Sequence, residues 1–333
     1  MTTGIVGLGR MGILHAAIAN VVDPDGVTSV CESDSRLSGW ARGLLPSIRF
    51  YSTVGEMMEK ENPDTVFVTT PPHTHLPIIR ELVGASRPGI FCEKPLANTH
   101  EAAVRAVELT RGETTAVGYQ KRYSPVFKRG KEILNRNALG KLRFIHGTYY
   151  VSDVHKLSNG WRHRRGTGGV LLDFAPHLVD ILLWYFRYPK VEGAIGRSFY
   201  SEADDYMLCL FGFEDGVPGS MEVSWSARGY RTPEITIEVE GELGNMKVTD
   251  GYIRTDLDRE VKGLAPSGKS VSYYPSLKAS PKYLLGEPEY SFEDQEFVRC
   301  ASSHVEFEPN FQTASEVNRL IDDVKRKSSQ GGS

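Results

Sequence analysis

Cysteine is scarce and scattered in this chain. Its 333 residues hold four, Cys31, Cys92, Cys209 and Cys300, with no CxxC pair and no zinc-ligand spacing. A chain this long needs no disulfide staples, so buried, reduced thiols are expected, as in a cytosolic protein. Long apolar runs are missing too: the most apolar stretch, residues 170–186, contains Asp173, His177 and Asp180, which argues against a membrane span. Nor is there an excess of one charge. The 39 basic and 42 acidic side chains leave a formal charge of −3, which argues against a general nucleic-acid binder. Internal repeats are absent, and no charged leader or signal segment precedes the strand at Ile5 and Val6, so a cytoplasmic location is the expectation.

What is present is ordinary globular composition, 40% apolar and 24% charged, in a chain long enough for two domains. Over the first ~120 residues, short apolar runs at 4–7, 27–31, 65–69, 89–92 and 114–119 alternate with helix-period segments at 11–22, 54–61, 76–85 and 101–110. Such alternation, with strands apolar throughout, predicts a parallel sheet covered on both faces. Asn98 followed by Glu101 has the form of a capping box. After Tyr123 the pattern changes. A helix at 126–137, a strand at 142–151 and an apolar helix at 169–185 precede strands at 191–199, 206–213, 220–225, 235–240 and 245–248. The turn signals between them predict a mostly antiparallel sheet. Residues 262–290 read as an extended loop, and a last helix at 313–327 leads to a polar tail.

Gly7-Leu8-Gly9-Arg10-Met11-Gly12 is a GxGxxG sequence. It follows the first strand, opens a helix, and has Glu32 twenty positions after Gly12, at the end of the second strand. In that setting it reads as a dinucleotide fingerprint. Gly7 makes the tight turn, Gly9 admits the pyrophosphate, Gly12 packs helix on strand, and the helix N-terminus attracts phosphate. Glu32 would accept hydrogen bonds from a ribose diol and repel a 2′-phosphate, which favours NAD over NADP; Arg36 nearby weakens that preference. The division expected is a dinucleotide-binding Rossmann domain over 1–121, a substrate-binding and oligomerisation α/β domain over 122–327, and a tail over 328–333.

Three more segments carry a family likeness: Thr69-Thr70-Pro71-Pro72 with His75, Glu93-Lys94-Pro95, and Gly168 to Asp180 with its D-x-x-x-H core. With the fingerprint, in this order, the chain resembles the glucose–fructose oxidoreductase, inositol dehydrogenase and MocA family. The resemblance implies a Rossmann domain followed by an α/β domain on a large open sheet. It further implies NAD(P)-dependent oxidation of sugars, polyols or their derivatives, and homodimers or homotetramers joined through that sheet. Lys94, Asp173 and His177 match the family's catalytic lysine, aspartate and histidine, while Thr70, Pro71, Pro72, His75, Glu93 and Lys94 fall on the cofactor side.

The chemistry fits those residue types. Transfer of a hydride from a carbinol needs a base for the hydroxyl proton and a cation for the developing charge on oxygen. His177 is suited to the first task and Lys94, at the C-terminal end of a parallel strand, to the second. Asp173, four residues before His177, would share its helix face and raise its basicity. Ala175 stands where many members carry glycine, and Pro176 predicts that the helix starts or bends there. Asp180 is a supporting residue. His73 and His75 form an HxH with no third ligand, so no metal is expected. The basic run Trp161-Arg162-His163-Arg164-Arg165 would clamp a phosphate, carboxylate or nucleotide diphosphate on a sugar, or else is a solvated loop or inter-subunit contact; Lys121, Arg122 and Tyr123 are candidates for lining the substrate pocket. Two other readings stand beside the dehydrogenase: a glycoside hydrolase working through transient oxidation, and a dinucleotide-binding regulator without turnover.

Overall fold

The computed structural model describes residues 1–22, 26–45, 47–156, 160–277 and 287–330. They form two compact units, one of Met1–Gln120 with Pro281–Asn318, the other of Lys121–Ser280 with Arg319–Ser333. The expected continuous second domain is thus corrected. Its described residues 287–318 belong with the first unit.

The first unit alternates β1 (Thr3–Val6), α1 (Arg10–Val22), β2 (Val27–Cys31), α2 (Ser35–Leu44), β3 (Arg49–Tyr51), α3 (Val54–Glu61), β4 (Thr65–Val68), α4 (His75–Ala85), β5 (Gly89–Cys92), α5 (His100–Leu109) and β6 (Thr115–Val117). The six strands are all parallel, in the order β3-β2-β1-β4-β5-β6. Every residue of β1 and β4 is buried, as a sheet covered on both faces requires. The second helix and the short third strand escape the reading by pattern; Asp34 caps α2 by accepting from the backbone N–H of Arg36 and Leu37. The cap of α5 is Thr99, one residue beyond the expected Asn98, and its hydroxyl accepts from Ala102 N at 3.2 Å.

The second unit holds α6 (Pro125–Asn135), β7 (Leu142–Tyr150), α7 (Val170–Asp173), α8 (Ala175–Tyr185), β8 (Lys190–Arg197), β9 (Tyr206–Gly212), β10 (Pro218–Ser224), β11 (Glu234–Gly241), β12 (Gly244–Thr249), β13 (Tyr252–Leu257) and β14 (Gly268–Tyr273). Its eight strands run β14-β13-β12-β11-β7-β10-β9-β8, antiparallel except for β7 beside β10. One face is buried under α6 and α8 through Ile145, Ile237, Val239, Met246 and Val248. The other carries Phe144, Ile195, Leu210, Val271 and Tyr273, all exposed. Pro176 lies in the first turn of α8, where a missing N–H breaks no helical bond, so the single expected helix is two.

The extended loop expected at 262–290 contains β14, and residues 278–286 of it lie outside the described residues. The chain then forms α9 (Pro288–Ser303) and α10 (Phe311–Gln330). Residues 328–330 of the expected tail continue α10, and 331–333 are outside the described residues. Helix α9 joins the first unit for a packing reason. Phe297 meets Phe67 at 5.3 Å and Phe91 at 5.6 Å edge-on, and all three rings are fully buried.

Candidate active site

In the first unit the glycine loop is shaped for a dinucleotide. Gly7 has φ +93°, which only glycine adopts at low cost, and a Cβ on Gly12 would collide with the Gly7 carbonyl oxygen. A Cβ on Gly9 would meet nothing within 4 Å, so that position is open where a pyrophosphate needs close backbone approach. The first-turn N–H groups of α1 have no partner inside the helix and favour an anion there. Thr69 holds the loop from below: its hydroxyl donates to Gly7 O at 2.6 Å. The pattern singled out Thr70, whose hydroxyl accepts from Thr74, and passed over Thr69 as a working residue.

Glu32 stands at the end of β2 as its spacing requires. One carboxylate oxygen accepts from Leu8 N at 2.7 Å, the other from Asp34 N at 2.8 Å. Each oxygen keeps a second lone pair for a ribose hydroxyl. Arg36 is paired with Asp34 and its side chain is 91% exposed. These residues fit a dinucleotide.

Pro71 and Pro72 lead into a short 3₁₀ turn, Pro72–Thr74, with His73 exposed. His75, expected on the cofactor side, opens α4. It is fully buried, with Nε2 2.8 Å from Thr70 O and Nδ1 3.1 Å from Pro95 O, so it joins two loops; burial lowers its pKa. Glu93 is buried just past β5. Its Oε2 accepts from Lys94 N at 3.0 Å and its Oε1 lies 3.1 Å from His15 Nε2. Burial opposes ionisation of Glu93, but His15 and Lys94 overcome it and hold the carboxyl below its usual range. Lys94 follows, half-buried, at the carboxyl end of a parallel strand. His15 and Asp294, which meet at 2.9 Å, were not foreseen as functional. The signal for His15 was a histidine on the buried face of α1 beside Gly12, Ala16 and Ala19.

In the second unit, Asp173 ends α7 and His177 lies in the first turn of α8, both largely buried. Arg162 Nε donates to Asp173 Oδ2 at 2.6 Å and its Nη2 to Asp153 at 2.8 Å, while its guanidinium packs over Phe174 and Trp225. Arg162 is thus committed to two carboxylates, and the basic run presents Arg164 and Arg165 to solvent instead; Trp161 is half-buried. Arg122 is a candidate for the pocket lining. It is buried, donating through Nε and Nη2 to Asp180 at 2.6–3.1 Å, which also gives Asp180 its place. Lys121 is likewise buried against Asp250 at 2.7 Å, and Tyr123 lies half-buried under Lys128.

A doubly wound sheet with a fingerprint loop and an acidic residue after β2 defines a dinucleotide-binding protein of the Rossmann type. Residues 1–120 match the family profile described as an oxidoreductase family with an NAD-binding Rossmann fold, and 127–247 match the GFO/IDH/MocA C-terminal domain. The chain belongs to the GFO/IDH/MocA family of NAD-binding oxidoreductases. It is 25% identical to an inositol 2-dehydrogenase of Rubrobacter xylanophilus over 74% of this chain and 71% of that one. It is also 25% identical to a levoglucosan dehydrogenase of Pseudarthrobacter phenanthrenivorans, over 79% and 78%. A levoglucosan dehydrogenase solved with NADH and L-sorbose shares the fold at TM-score 0.86, with 20% identity over 99% of this chain and 97% of that chain. The WlbA dehydrogenase of Bordetella pertussis, solved with NADH and UDP-GlcNAcA, does so at 0.79, with 19% identity over 99% and 96%. No helix among the described residues is long and apolar enough to cross a membrane.

Proposed function

We propose that this protein oxidises a secondary hydroxyl of a sugar, sugar derivative or cyclitol, or reduces the matching ketone, with NAD. The observation that carries the reading is Lys94, its backbone fixed by Glu93, at the end of β5 in the sheet that bears the glycine loop. Bound there, NAD supplies the hydride acceptor. The Lys94 ammonium hydrogen-bonds the reacting oxygen and stabilises negative charge as it develops. His177 takes the hydroxyl proton, and Asp173 orients the base. The relatives named inositol 2-dehydrogenase and levoglucosan dehydrogenase support a polyol or sugar substrate. Lys94→Ala should lower turnover by roughly a thousandfold or more while the NAD dissociation constant stays within a few-fold, read by NADH fluorescence. Undiminished turnover on a substrate of the wild type overturns the assignment.

The same reading extends to a homo-oligomer. Phe144, Ile195, Leu210, Val271 and Tyr273 share the uncovered face of the eight-stranded sheet, and a second copy of the chain would cover them. Leu210→Glu should shift the mass in solution toward the monomer by light scattering; an unchanged multimer, or a monomeric wild type, overturns this.

A further inference from the structure

One buried pair, His15 with Asp294, lies outside the residues the proposed reaction uses. His15 on α1 has no exposed surface; its Nδ1 is 2.9 Å from the Asp294 carboxylate on α9 and its Nε2 3.1 Å from Glu93 Oε1. Two carboxylates on the two ring nitrogens demand a proton on each, because a neutral imidazole would set a lone pair against an anion. The other groups facing the ring are Phe67 from β4, Phe91 from β5 and Tyr290 from α9, at centroid distances of 5.4, 4.9 and 6.0 Å. None of these three is an ion at neutral pH, and the Tyr290 hydroxyl accepts from Gln120 Nε2. Burial pushes the His15 pKa down, and Asp294 and Glu93 more than reverse it, to about 10. The remaining oxygen of Glu93 accepts from Lys94 N at 3.0 Å.

We propose that His15 is a positioning residue for Lys94. Its imidazolium locks Glu93, and Glu93 fixes the backbone of the lysine. The ring thereby ties the strand end bearing Lys94 to the helix whose first turn, at Gly12, lies three residues away. Asp294 keeps the ring charged. The proposal rests on the reading of Lys94 given above.

The test uses the full-length protein and two readouts. In histidine-labelled protein, with the His15 resonance assigned from His15→Gln, the ring should stay protonated through pH 8.5. A titration near the ordinary imidazole value overturns the proposal. Asp294→Asn removes one carboxylate, so the ring should lose its proton within the assay range. Once its fold is verified by thermal melt, the kcat ratio of variant to wild type should fall about tenfold or more between pH 7 and pH 9, since the protonated fraction drops tenfold per unit above the pKa, with KM for NAD within about twofold. A merely structural role would lower kcat equally at every pH, so a flat ratio overturns the proposal. Lys94→Ala, measured alongside, separates the two readings. Undiminished turnover there overturns the reading of Lys94 itself, whereas abolished turnover with a flat Asp294→Asn ratio overturns only the role of His15. Should Asp294→Asn fail to fold, the wild-type ring titration decides alone.

Discussion

Glu32 serves the fold with both carboxylate oxygens and, on the function proposed, the ribose as well. Its two backbone acceptances, from Leu8 and Asp34, join the glycine loop to the cap of α2, so the side chain is preorganised before any ribose arrives. A hydrogen bond to a charged group contributes about 1.5–3 kcal/mol, which corresponds to roughly ten- to a hundredfold in affinity. Glu32→Ala should therefore raise KM for NAD by at least about tenfold and bring the NAD-to-NADP ratio of kcat/KM toward one, because the repulsion of a 2′-phosphate goes with the carboxylate. Steady-state kinetics with both cofactors checks this, and an unchanged ratio would sink the ribose role. Residues of this kind were legible because a fixed spacing from a strand end determines their place. His15 was legible only in part: its helix face follows from the 3.6-residue period, but its partner Asp294 lies 279 residues away in sequence.

At the scale of elements, β1, α1 and the turn between them show how one motif asks different things of similar glycines. Gly12 is needed for packing, since a methyl there would strike the Gly7 carbonyl and press on Thr69 Oγ1 at 2.8 Å. Gly9 has room for a methyl, so the fold does not require it; on the function proposed, the pyrophosphate does. Gly12→Ala should lower both the melting temperature and NAD affinity, with overpacking costs of about 1–3 kcal/mol. Gly9→Ala should leave the apo melting temperature within about a degree, as surface changes do, yet lose most of the stabilisation that NAD adds. A differential scanning experiment with and without NAD compares the pair; equal apo melting temperatures for the two variants would contradict the assignment. Elements were read from sequence where apolar runs of strand and helix length alternated. The pattern failed at α2, whose Ser35–Leu44 segment is held by the Asp34 cap, and at α9, whose buried face includes Glu289, Glu293 and Asp294. Acidic side chains on a buried face defeat any rule that puts polar residues outside.

The whole molecule departs from a division read along the chain, because the first unit is completed from the far end. A fragment of residues 1–121 holds the whole glycine loop, Glu32 and Lys94. It lacks Phe297, which seals Phe67 and Phe91, and Asp294, which neutralises His15. Losing a buried Phe costs about 3–5 kcal/mol, and breaking a buried ion pair by removing one partner costs a similar amount. Together these approach the 5–15 kcal/mol of a typical domain. The fragment should therefore show no cooperative melt and no thermal shift with NAD. Gln120 Nε2 donates to Tyr290 OH at 2.9 Å, so the cut end of the fragment lies beside the start of α9. Joining residues 1–120 to 287–318 through about ten Gly/Ser residues, with a root-mean-square reach of about 17 Å, spans that gap. The joined chain should melt cooperatively and be stabilised by NAD. A stable, NAD-responsive 1–121 fragment would show instead that the six-stranded sheet carries its own core, and that α9 is a covering added to it.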